Sequence, residues 1–135
     1  MFVLALDCMD GRTKQALMKW VESAFSSEFR GMRISVDLVT EPGVDGILSQ
    51  GPKGIIAELQ RKAFISRDKH GSRIALITGH EDCAGHPVGK DEHVRDVKKG
   101  AERVLSWGFG RVIGLYFSGV NGSCGVEKII ELSTH

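Results

Sequence analysis

Phe2-Val3-Leu4-Ala5-Leu6 opens the chain as an unbroken apolar run. It is too short for a helix and stops at polar residues, so it reads as a strand covered on both faces, as in a parallel sheet. Ile74-Ala75-Leu76-Ile77-Thr78 repeats that pattern, and Val112-Ile113-Gly114-Leu115-Tyr116-Phe117 repeats it again. Ile34-Ser35-Val36-Asp37-Leu38-Val39 alternates instead, which suits a sheet edge or a half-covered face. Helical spacing fills the gaps. Gly11 turns the chain out of the first strand, and Thr13 stands where a helix cap belongs. That helix is expected to run to about residue 30, with Leu17, Trp20, Val21, Ala24 and Phe25 on one stripe and Gly31 as its stop. Thr40-Glu41-Pro42-Gly43 ends the second strand, and a loop is expected to Gly51. Pro52 then opens a helix to about residue 68, with Ile55, Ile56, Leu59 and Ala63 inward. A third helix is expected over about 91–107, with Val94, Val97, Ala101, Val104 and Leu105 inward. Residues 126–132 read as a short fifth strand at an edge.

Strand and helix alternate, so the expected fold class is α/β. The expected sheet is mainly parallel and four-stranded, in order 2-1-3-4, with helices on both faces. The whole chain, 1–135, reads as one domain. Sheets of this kind bind ligands beyond the carboxyl ends of the strands, where the strand order reverses. In order 2-1-3-4 that point lies between strands 1 and 3. Ala5-Leu6-Asp7-Cys8-Met9-Asp10-Gly11-Arg12 leaves strand 1 there, and Thr78-Gly79-His80-Glu81-Asp82-Cys83 leaves strand 3.

Composition narrows the function classes. The net charge is +1, from 18 basic and 17 acidic residues, which gives no electrostatic footprint for nucleic acid. The apolar start is short and lacks a basic leader, and no run reaches membrane-spanning length. Three scattered cysteines do not make a disulfide framework, so a reducing, cytoplasmic setting with metal or catalytic roles is the expectation.

The two stretches supply thiols, an imidazole, a carboxylate and a guanidinium. Thiolate, imidazole and carboxylate are the ligand types zinc takes. Cys8, His80 and Cys83 would bind zinc and leave a fourth tetrahedral position open, as in a catalytic site, where water becomes a hydroxide nucleophile. Asp10 either takes the fourth position itself or is held off the metal by Arg12 in a two-pronged pair, where it would orient the hydroxide.

At these residues the sequence resembles the β-class carbonic anhydrases, which carry Cys-x-Asp-x-Arg after the first core strand and His-x-x-Cys after a later one. The matching residues are Cys8, Asp10, Arg12, His80 and Cys83. The resemblance implies zinc on Cys8, His80 and Cys83, with Asp10 and Arg12 as a gating pair. It also implies reversible hydration of carbon dioxide to bicarbonate, and a homodimer. Three features depart from the family pattern. Its usual N-terminal helical arm has no counterpart before strand 1. Thr40-Glu41-Pro42-Gly43 stands where Arg-Asn-Ala-Gly is common. Ala84 separates Cys83 from Gly85, where glycine usually follows directly. Alternatives kept open are zinc hydrolysis of carbonyl sulfide or carbon disulfide, and a non-catalytic protein with a structural zinc.

Cys124 reads as a buried or loop thiol rather than a fourth ligand. His86 and His93 read as surface residues, with proton shuttling as the sharper alternative. Glu41 reads as a turn residue whose carboxylate could reach the crevice. Gly119-Val120-Asn121-Gly122-Ser123 reads as a turn, since it lacks the lysine of a phosphate-binding loop.

Overall fold

The structure is a computed structural model that describes residues 1–134. Five strands form one sheet in the order β2-β1-β3-β4-β5. They are β1 (Phe2–Asp7), β2 (Ser35–Thr40), β3 (Ile74–His80), β4 (Arg111–Ser118) and β5 (Gly125–Ser133). The first four are parallel, and β5 runs antiparallel to β4 along the far edge. The expected order and the expected fifth edge strand are both present.

The pleat sends successive side chains to opposite faces, and the sequence has filled both. Val3 and Ala5 of β1, with Ile74 and Leu76 of β3, pack under α1 (Lys14–Phe25) through Leu17, Val21 and Phe25. Leu4, Leu6, Ala75 and Ile77 face the other way. There they meet α2 (Val44–Gln50), α3 (Lys53–Lys69) and α4 (Lys90–Leu105) through Val44, Leu48, Ile56, Leu59, Ala63, Ala101 and Val104. No helix among the described residues is long and apolar enough to cross a membrane.

Three local expectations change. The first helix ends at Phe25, and residues 26–31 continue as turns to Gly31, whose φ of 77° suits a glycine stop. Thr13 occupies the cap position, but its hydroxyl donates to the Asp10 carbonyl and caps no helical N–H. The expected loop before Gly51 contains α2. Glycines at 43, 46 and 51 make it read as loop, yet burial of Val44 and Leu48 against the core holds it helical.

Candidate metal centre

The ends of β1 and β3 build the site. Asp7, the last residue of β1, is fully buried. Its carboxylate accepts hydrogen bonds from Lys14 Nζ at 2.7 Å and from the Thr78 hydroxyl on β3. Lys14 Nζ also donates to the carbonyls of Cys8 at 2.5 Å and Asp10 at 2.7 Å. One carboxylate therefore ties the two strand ends together, and one ammonium fixes the turn that carries Cys8 and Asp10. Sequence reading missed Asp7, Lys14 and Thr78. The signal available was a carboxylate ending an otherwise apolar strand, since a buried charge needs a partner.

The Cys8 and Cys83 sulfurs lie 3.9 Å apart. Two thiolates on tetrahedral zinc, each about 2.3 Å from the metal, would stand about 3.8 Å apart. A disulfide requires about 2.05 Å. His80 Nδ1 donates to the Glu81 carbonyl at 2.7 Å, which orients the ring. His80 Nε2 is buried and has no hydrogen-bond partner. One sulfur of each cysteine and one nitrogen of His80 all lie within 4.8 Å of one another. The donor types, the sulfur spacing and the orphaned nitrogen fit a zinc ion.

Protons are already unevenly shared in this cluster. The hydrogen bond from Cys83 holds Cys8 far below the ordinary thiol range despite burial, helped by His80 and the main-chain N–H groups of Asp10 and Gly43. Cys83 is held correspondingly high by Cys8 and by burial. Burial disfavours charge on His80, but the Cys8 sulfur and the Glu81 carbonyl outweigh it and raise its pKa. Such a set can exchange its protons for a cation.

Asp10 and Arg12 stand at the rim. Arg12 Nε and Nη2 both engage the Asp10 carboxylate, the shortest contact being 2.7 Å, and the Arg12 main-chain N–H adds another at 2.9 Å. Those hydrogen bonds hold Asp10 well below the usual carboxylate range, against a smaller effect of burial. They also raise Arg12, with help from Asp82. The rest of the guanidinium is anchored too. Nη1 donates to Asn121 Oδ1 at 2.7 Å and Asp82 Oδ2 at 3.1 Å, and Nη2 to the Asp82 carbonyl at 3.1 Å.

The loops after β2 and β3 meet here backbone to backbone. A Cβ on Gly43 would come within 2.6 Å of the Gly85 carbonyl, and one on Gly85 within 2.6 Å of the Pro42 carbonyl carbon. The two departures from the family motifs thus touch each other, and Gly43 (φ 61°) lets the contact close. The Glu41 main-chain N–H donates to the Asp7 carbonyl at 3.0 Å, prolonging the pairing of β1 and β2.

Cys8, Asp10, Arg12, His80 and Cys83 are thus brought to one crevice. Cys124 lies outside the three-ligand cluster and packs, partly buried, against the apolar cluster that includes Leu17, Val21 and Phe25. His86 and His93 are not surface residues. His93 is fully buried and its Nδ1 pairs with Asp45 at 2.6 Å, while His86 Nε2 pairs with Asp96 at 2.6 Å. The partner carboxylate on α2 was hidden because that helix reads as loop.

Comparison with known proteins adds the relationship. The family described as "Putative carbonic anhydrase" matches residues 1–130. A similar solved structure is the β-carbonic anhydrase isoform I of the protozoan Trichomonas vaginalis. The match has a TM-score of 0.57 and 19% identity, and covers 94% of this chain and 81% of that one. Comparison with curated proteins gives no match.

Proposed function

The chain belongs to that carbonic anhydrase family, and on this premise we propose that it is a zinc lyase that reversibly hydrates carbon dioxide to bicarbonate. The observation that carries the reading is the buried pair of sulfurs 3.9 Å apart beside the unpartnered His80 Nε2. Cys8, His80 and Cys83 would hold the ion. When bound, zinc would lower the pKa of a water on it and so supply a hydroxide nucleophile. Two thiolates donate more charge than imidazoles do, so activity grows toward alkaline pH.

This chain's residues do the rest. Arg12 holds Asp10 in a bidentate pair, which would keep the carboxylate from serving as a further ligand. From there the carboxylate would accept a hydrogen bond from the nucleophile and orient it toward substrate. Without that pair, Asp10 is free to take the fourth position and close the site. Asp7, Lys14 and Thr78 are positioning residues, because they fix the strand ends that carry the ligands.

The same reading includes a homodimer in a cytoplasmic, thiol-preserving setting. β2 is a sheet edge, and Leu38 on it is exposed, as are Met18 and Met32 nearby. Sedimentation at high micromolar concentration tests the dimer, and a single monomeric species overturns it.

Stopped-flow hydration of carbon dioxide by the zinc-loaded protein tests the activity, with Cys83→Ser and Asp10→Asn alongside. The expected result is a zinc-dependent rate that rises with pH and is lost in Cys83→Ser. No rate above buffer at alkaline pH would retire the hydration reading. It would leave carbonyl sulfide, carbon disulfide or a structural zinc to be tried on the same preparation.

A further inference from the structure

On the α4 side of β3 lies a second group of ligand-type residues that the hydration reading leaves unused. His86 follows the Cys83 turn, His93 and Asp96 lie on α4, and Asp45 lies on α2. One carboxylate oxygen of Asp45 and one ring nitrogen each of His86 and His93 lie within 4.8 Å of one another. We propose that His86 and His93, each backed by a carboxylate, form a second site, for a divalent first-row transition cation.

Each imidazole is already held by a carboxylate on one nitrogen. Asp45 Oδ2 is 2.6 Å from His93 Nδ1, and Asp96 Oδ2 is 2.6 Å from His86 Nε2. Proteins fix a ligating histidine in this way, leaving the opposite nitrogen for the metal. In His93 the opposite nitrogen is Nε2, which is buried and has no hydrogen-bond partner. Two carboxylates beside two imidazoles also match the charge of a dication in a buried place. Imidazole donors suit the divalent first-row ions from iron to zinc.

The backbone has been cleared for this cluster. A Cβ on Gly79 would come within 2.7 Å of Asp45 Oδ2, and one on Gly46 within 2.9 Å of the His86 ring. Gly79 directly precedes His80, and the pleat sends them to opposite faces of β3. The two sites are therefore separate ligand sets on neighbouring residues of one strand. The second contains no sulfur, which makes it spectroscopically distinct, and it does not rest on the hydration reading.

The test is reconstitution of the metal-free protein with Co2+, followed by metal analysis and absorption spectra. The wild type is expected to hold two equivalents, with a sulfur-to-cobalt charge-transfer band accounting for only one. Cys83→Ser should lose that band and keep one equivalent. His86→Gln and His93→Gln should keep the band and lose the other equivalent. His86→Gln is the safer variant, because its ring lies at the rim of the cluster, and circular dichroism checks the fold of each. A wild type that stops at one equivalent, all of it showing the sulfur band, overturns the proposal. So does a second equivalent that survives both histidine variants, which would mark it as an adventitious ion only. Absence of the sulfur band in every protein would instead sink the thiolate centre and leave the second site standing on the histidine variants.

Discussion

Two acid–base pairs lie within eight residues of each other, and they differ in kind. Asp7 and Lys14 pair at 2.7 Å, with the Asp7 side chain fully buried. Asp10 and Arg12 pair at 2.7 Å too, with their side chains 19% and 33% exposed. The first carboxylate is held by partners that both belong to the frame: an ammonium and a β3 hydroxyl. The second is held at the rim by one residue, Arg12, through its guanidinium and its main-chain N–H. A buried pair is costly to break because one charge is left stranded, whereas a rim pair exchanges partners at little cost. The same chemistry thus builds the turn at one point and leaves a movable carboxylate at the other.

The sharpest way to break the comparison is Asp7→Ala. It leaves the Lys14 ammonium without its counter-charge and unties β1 from Thr78. We expect a loss of about 3–5 kcal/mol, the cost of removing one partner of a buried pair. Urea unfolding measures it, and a loss near that of a surface substitution would show that the pair is not structural.

Arg12→Ala should do the opposite. Its loss of stability is expected to stay below about 1 kcal/mol, because the pair is partly exposed. Its loss of hydration rate at neutral pH should reach at least about tenfold, roughly 1.4 kcal/mol of barrier, since Asp10 is released toward the metal. X-ray absorption at the zinc edge should report an added oxygen donor. An Arg12→Ala protein with full activity and an unchanged metal environment ends the gating idea.

Acid titration gives a smaller effect with a definite sign. Arg12 depresses the Asp10 carboxyl. A group with a lowered folded pKa contributes stability above its unfolded value of about 3.9, and loses it as pH falls through the folded one. The stability difference between wild type and Asp10→Asn, measured metal-free, should be flat from neutral pH down to about 4 and shrink only below that. A difference that changes between neutral and mildly acidic pH would mean that Asp10 is not held by Arg12 in solution.

The comparison also shows what a sequence discloses. The strands were legible because each is apolar enough to need cover on both faces, and the crevice followed from their order. Cys8, Asp10, Arg12, His80 and Cys83 were legible because they lie in two short stretches at the strand ends. Asp7 and Lys14 were not, because their pairing depends on a turn whose shape they themselves fix. α4 shows the other limit. The sequence pattern places its apolar stripe at Val94, Val97, Ala101, Val104 and Leu105; Val97, Ala101 and Val104 are buried, but the buried face also takes in His93, Asp96 and Gly100. Counting histidine and aspartate as polar left out the side where Asp45 pairs with His93. The short helix α2, with two of its flanking positions and one interior position glycine, is held by its neighbours rather than by its own propensity.

The smallest expected effect is also the most discriminating. Asn121, in the loop after β4, receives Arg12 Nη1 at 2.7 Å, and Asp82 receives it at 3.1 Å. Neither touches Asp10. If the guanidinium is merely a surface charge, Asn121→Ala should change nothing. If its placement keeps Asp10 off the metal, loosening it favours closure, and closure then persists to higher pH. The hydration profile of Asn121→Ala should therefore move in the alkaline direction, as Arg12→Ala does but by less. A hydrogen bond to a charged group is worth at most about 1.5–3 kcal/mol, and exposure reduces it, so the neutral-pH rate should fall less than about tenfold. Stability should change by no more than about 0.5 kcal/mol, as for other surface positions. A profile that stays in place or moves toward acid would separate Arg12 anchoring from the position of Asp10 and make the second pair as static as the first.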